Sequence, residues 1–115
     1  MLIGSRSAGL AGSLKSIAPE LKVLAMVPDA RSVDEFLAQE VDAVRLWARW
    51  TRRNPELVDS VRRAGADVWL TTGSLKGRSL EQAIRVADGV ITNHPSEALH
   101  LTQMLSSLEP GKRGL

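Results

Sequence analysis

The groups best suited to chemistry in this 115-residue chain are arginines. Arg45, Arg49, Arg52, Arg53, Arg62 and Arg63 crowd one stretch whose only acids are Glu56 and Asp59, and Trp47 and Trp50 lie among the first four. Guanidinium forks match phosphate oxygens, so Arg45, Arg49, Arg52 and Arg53 are candidates to grip a phosphate, with Arg49 the foremost. The competing reading is a solvated face on which arginine stems lie along the two indoles. A second group closes the chain. Thr92 and Asn93 follow the apolar run Gly89-Val90-Ile91 and precede Pro95, so they sit where a strand hands over to a helix, as ligand contacts or as turn and capping residues. Trp69 could cover a glycerol or alcohol group, or pack in a core. Ser5 ends the first apolar run. His94 and His100 are the only histidines, and neither has a carboxylate placed nearby in sequence to orient it. The Gly73 to Arg78 segment lacks the glycine pattern of a phosphate-binding loop.

Metal chemistry has little to work with. Cysteine is absent, which excludes disulfides and thiolate metal sites and makes a reducing cytoplasm the expected compartment. A hard cation needs several oxygens at one point. Of the residues expected at the C-terminal ends of strands (Ser5, Asp29, Arg49, Thr71, Thr72, Thr92 and Asn93) only Asp29 is anionic, and it fits a Pro-Asp turn before a helix. The net charge of +2 does not call for nucleic acid. No apolar run is long enough to span a membrane, and Met1 to Arg6 does not read as a signal peptide.

These residues must be positioned by elements that alternate. Met1 to Gly4 reads as a strand and Ala8 to Ala18 as a helix with Leu10, Leu14 and Ile17 on its buried face. Lys22 to Val27 is a nearly continuous apolar run, as in a parallel strand covered on both sides. Ser32 and Glu35 form a capping box for a helix that buries Val33, Phe36 and Leu37. Asp42 to Trp47 is a third strand, on which Arg45 and Trp47 share a face opposite Val44 and Leu46. Asn54 and Pro55 start a helix that buries Leu57, Val58 and Val61 and stops at Gly65. Ala66 to Thr71 is the fourth strand. Ser79 and Gln82 cap a helix built on Leu80, Ala83, Ile84 and Ala87. Gly89 to Thr92 is the fifth strand, and Pro95 to Leu108 the last helix. The expected domain is one unit over residues 1–108, with Glu109 to Leu115 as a frayed tail. Strict alternation means parallel strands with right-handed crossovers, an α/β fold.

Several segments carry a resemblance. Pro19-Glu20-Leu21-Lys22-Val23-Leu24, the stretch Thr51 to Ala64, Val68-Trp69-Leu70-Thr71-Thr72 and the closing Asp88-Gly89-Val90-Ile91-Thr92-Asn93-His94-Pro95 together resemble the C-terminal part of glycerophosphodiester phosphodiesterases. The resemblance runs from Met1 to about Leu101 and covers about five of that family's eight βα units. It implies a partial (β/α) barrel with ligands at the C-terminal ends of the strands. It implies Ser5, Trp69, Thr92 and Asn93 as substrate or phosphate contacts, beside Arg49, which its guanidinium chemistry nominates. The family reaction is metal-dependent hydrolysis of glycerophosphodiesters to glycerol 3-phosphate and an alcohol, with Mg²⁺ or Ca²⁺. The departures are as informative. The family's His-Arg-Gly turn, Glu-x-Asp ligands and catalytic histidine have no counterpart, Arg6 stands for an aromatic, and Asn93 replaces the closing aspartate. The register at the mouth is open: either Trp69 or Thr71 could occupy the family's tryptophan place. The expectation is therefore a chain without hydrolase activity by itself. Five strands of such a barrel leave two edges unpaired. Covering them would take a separate N-terminal half, a second copy of the chain, or relaxation into an open sheet. The alternative to a phosphodiesterase section is a non-catalytic phosphate-ligand binding or assembly module.

Overall fold

The computed structural model describes residues 2–108. Five strands alternate with six helices: β1 (Leu2–Ser5), α1 (Ala8–Ile17), β2 (Lys22–Met26), α2 (Val33–Leu37), β3 (Ala43–Trp47), α3 (Ala48–Arg53), α4 (Glu56–Arg63), β4 (Asp67–Gly73), α5 (Gly77–Val86), β5 (Gly89–Thr92) and α6 (Pro95–Leu108). All neighbours pair in parallel, in the order β1-β2-β3-β4-β5, and the sheet curls into a half-barrel. Because every crossover advances the same way and with the same hand, the helices gather on one face. The observed fold is the α/β fold expected from the alternation, in the partial-barrel form that the resemblance implied. The proposed tail, residues 109–115, lies outside the described residues.

One continuous core fills the space between sheet and helices. Val23, Ala25 and Val27, Val44 and Leu46, and Val68 and Leu70 point outward from the sheet into Ala8 and Ala11 of α1, Val33 and Phe36 of α2, Leu57 and Val61 of α4 and Ala83 of α5. Period-two alternation then sends Leu24, Met26, Ala43, Arg45, Trp47, Trp69 and Thr71 to the concave face, which carries no helix. Leu24, Ala43 and Arg45 are nonetheless buried there. The curl achieves this by folding neighbouring strands toward one another.

Several local expectations need correction. Helix α1 buries Ala8 and Ala11, whereas Leu10 is 54% and Ile17 81% exposed and Leu14 is half-buried. The small residues let the helix lie close to the sheet, Leu14 packs against the rim of the core, and Leu10 and Ile17 face away beside the open β1 edge. Ser32 does not cap α2 with its side chain. Asp29 instead caps a single 3₁₀ turn at Ala30–Ser32, accepting from Ser32 N and Ser32 Oγ, both at 3.0 Å. Helix α3, unanticipated, follows β3 without a loop and ends at Arg53, where Asn54 N donates to Trp50 O. Pro55 already has helical backbone angles ahead of α4, and no side-chain cap is made there. Helix α5 starts at Gly77, so Ser79 lies within it rather than capping it. Gly65 adopts φ +84, the left-handed conformation a helix-ending glycine allows.

Asp42 and Asp88 stand just before the N-terminal ends of β3 and β5. Asp42 Oδ2 accepts from Val23 N at 2.7 Å and from Lys15 Nζ at 3.0 Å, and Asp88 Oδ2 accepts from Val68 N at 2.8 Å with Arg62 3.6 Å away. In each case the residue just before one strand ties down the first free N–H of its neighbour, which fixes the register. Arg62 also donates to the Val86 carbonyl. That end of the sheet encloses a hollow of about 640 Å³ bordered by Leu2, Ala43, Asp67 and Trp69. It lies opposite the end where this architecture holds ligands, so its role is read as structural.

Candidate functional site at the concave mouth

The register sets the concave face in layers. Gly4, Leu24, Ala43 and Asp67 stand side by side, then Met26, Arg45, Trp69 and Gly89, then Trp47, Thr71 and Ile91 nearest the C-terminal ends. Trp69 is therefore one layer below the mouth and Thr71 is in the layer with Trp47. The Trp69 indole lies flat over Gly89, where a Cβ would come within 2.7 Å of the ring. Glycine is what allows the ring to sit there.

Arg45 is the unusual group. It occupies the middle layer between Met26 and Trp69, is 8% exposed, and its Nε has no hydrogen-bond partner. Its guanidinium lies 5.2 Å from the Trp47 ring centre, and that of Arg49 lies 4.6 Å from the same ring. Indole faces attract such cations, and both guanidinium groups stack on this one ring. Burial first, and then repulsion from Arg6, pull the Arg45 guanidinium below its ordinary pKa. Even so it stays charged at neutral pH. Among the described residues no ion pair involves Arg6, Arg45 or Arg49. The mouth is thus cationic, whereas at the opposite end Asp42 and Asp88 are matched by Lys15 and Arg62.

The sequence-derived candidates divide. Arg49 lies in the first turn of α3 rather than on a strand, exposed and stacked on Trp47. Trp69 stands beside Arg45 in the register with its ring over Gly89, while Arg45 and Arg49 both stack on Trp47. Ser5, Thr92 and Asn93 make turns. Ser5 is buried, donates through Oγ to Ser7 O at 2.9 Å and accepts from Ser7 N at 3.3 Å, while Ser7 Oγ caps α1 through Leu10 N. Thr92 Oγ1 accepts from His94 N at 2.9 Å, and Asn93 N donates to Gly73 O at 2.8 Å, which shapes the entry to α6. Asn93 remains exposed at the mouth. The sequence reading placed Arg45 in the cluster but not at its centre. The available signal was a lone arginine in mid-strand, on the same face as a tryptophan.

The residues at this end do not fit a hard cation. Asp29 is the one carboxylate among the expected strand-end residues, and its Oδ1 already serves Ser32. Among the described residues no group of three or more histidine, cysteine, aspartate or glutamate side chains converges. Guanidinium groups would in addition repel a divalent ion. The arrangement suits an oxyanion with an apolar portion lying against indole. No helix among the described residues is long and apolar enough to cross a membrane. Comparison with protein-family models gives no match, and comparison with curated proteins finds no relative.

Proposed function

We propose that this chain is the substrate-facing wall of a glycerophosphodiester phosphodiesterase-type barrel, which binds the phosphate end of its ligand and depends on further strands for catalysis. The observation that carries this reading is the half-barrel whose open concave face ends in arginines and tryptophans without accompanying carboxylates. The distribution of exposed apolar side chains supports its need for completion. Leu2, Leu10 and Ile17 lie on β1 and α1, and Ile91, Leu99 and Met104 on β5 and α6, all at the two edges of the sheet, whereas the interior units expose Val86. Three further βα units, on the same polypeptide or another, would cover both edges at once and close an eight-stranded barrel. A second copy is less suitable, because it would bring the same uncompensated arginines to the shared interior.

On this reading the cation of the family reaction, Mg²⁺ or Ca²⁺, belongs to the added strands, where it would stabilise negative charge on the phosphodiester. The residues present here bind and orient. Arg45 and Arg49 would hold phosphate oxygens, Trp47 would fix the two forks, and Trp69 would line the apolar floor below them. The lack of cysteine accords with a reducing cytoplasm as its compartment.

Incubation of the pure chain with glycerophosphocholine and either cation tests the reading. Binding without release of glycerol 3-phosphate is expected. Hydrolysis by the chain alone, or failure to bind the diester at all, would contradict it.

A further inference from the structure

We propose that Arg45 anchors a binding site for a phosphate-type oxyanion, built with Arg49 and the Trp47 indole, and that the chain carries this site whether or not a phosphodiesterase is ever assembled around it. Arginine offers five N–H donors in a rigid plane. A buried one ordinarily meets a carboxylate, since an uncompensated charge away from water is costly. Arg45 is 8% exposed with an orphaned Nε, and its register neighbours are the thioether of Met26 and the indole of Trp69. Neither accepts a charged hydrogen bond well. Arg6 is close enough to repel it, which worsens the imbalance. An arrangement of this kind is costly when empty and favourable when an anion is present. The shape fits the same conclusion. Arg45 and Arg49 each stack on the Trp47 indole, at 5.2 Å and 4.6 Å from the ring centre. Their planes are restrained before ligand arrives, which reduces the ordering cost of binding. A tetrahedral phosphate has enough oxygens to accept from both forks at once.

The inference requires Arg45 to cost stability when the site is empty and to supply affinity when it is filled. Inorganic phosphate titrated into the full chain at constant ionic strength, with chloride as the balancing anion, should bind saturably with Kd at or below about 1 mM. Arg45→Met keeps the length of the side chain and removes the charge. It should weaken phosphate binding at least about tenfold while raising the thermal midpoint of the phosphate-free protein. Arg49→Ala should weaken binding and leave that midpoint unraised, and Arg63→Ala, at the C-terminal end of α4, should change neither. If Arg45→Met does not fold, the wild-type chain still decides. Phosphate should move the indole N–H resonance of Trp47 and not that of Trp50, which packs against the core. Equal responses to phosphate and chloride would mean general screening of the arginines and would overturn the site. So would unchanged binding in Arg45→Met, or an unmoved Trp47. Phosphate binding together with no binding of glycerophosphocholine would retain this site and reject the phosphodiesterase reading.

Discussion

At the scale of residues, the concave face depends on how two large side chains are accommodated. Trp69 lies over Gly89, and any side chain there must displace the ring. Gly89→Ala is expected to destabilise by about 1–3 kcal/mol, because overpacking a fitted site forces ring and strand apart. Chemical denaturation measures the loss, and altered Trp69 emission would locate it. Arg45 is the opposite case, a group whose removal should stabilise the empty protein. Its position beside Trp47 on one face of β3 was legible, because alternation along a strand is strict and Val44 and Leu46 had to face the helices. That it lacks a counter-ion was not legible. Which carboxylates approach a side chain is decided by the curl of the sheet and by which strand ends hold the acids, and neither is encoded locally.

At the scale of elements, register is held by aspartates placed just before strands. Burial by itself would raise the Asp42 pKa, but the Val23 N–H bond and the Lys15 ammonium together outweigh it, and the carboxyl titrates below its ordinary value. A depressed folded-state pKa adds stability that is present above the unfolded pKa and is lost as the pH falls through the folded one. Thermal midpoints should therefore decline as the pH drops below about 4. Asp42→Asn should flatten part of that decline and cost about 1 kcal/mol at neutral pH, since the amide oxygen can keep the Val23 bond but not the charge. Melts across the acid range test both. Strands and long helices were readable from apolar runs and from Gly65 and Pro95. Helix α3 was not, because Ala48 to Arg53 offers no apolar period and no cap, and forms as a direct continuation of β3. The face of α1 was misjudged for a related reason. Leucine and isoleucine at helical spacing ordinarily mark the core, but here alanines make the close contact.

For the molecule as a whole, what matters is where it remains open. A curled sheet of five parallel strands has unpaired N–H and C=O groups along β1 and β5, and exposed apolar side chains accumulate beside both. Ile17 is 81% and Leu99 60% exposed, so little is lost by making them polar. The double variant Ile17→Ser and Leu99→Ser should keep the stability of the isolated chain within about 0.5 kcal/mol, as measured by denaturant titration. A larger loss would show that these side chains are already covered. Fold class followed from strict alternation of short apolar runs with helices, whereas the sequential strand order of a barrel was implied by the resemblance, since one-handed crossovers also permit doubly wound orders. The concave face did not follow in the same way. A strand sequence states which residues share a face but not whether that face is flat, enclosed or left for something else to fill.

The most direct measurement follows two signals in one titration of glycerophosphocholine into the wild-type chain and Arg45→Met, with Mg²⁺ or Ca²⁺ present. The Trp47 indole N–H reports occupancy of the mouth, and released choline reports turnover. A saturable shift without choline in the wild-type chain, and neither signal in Arg45→Met, is the expected result. Choline release by the chain alone, or a Trp47 signal that does not move, would contradict it.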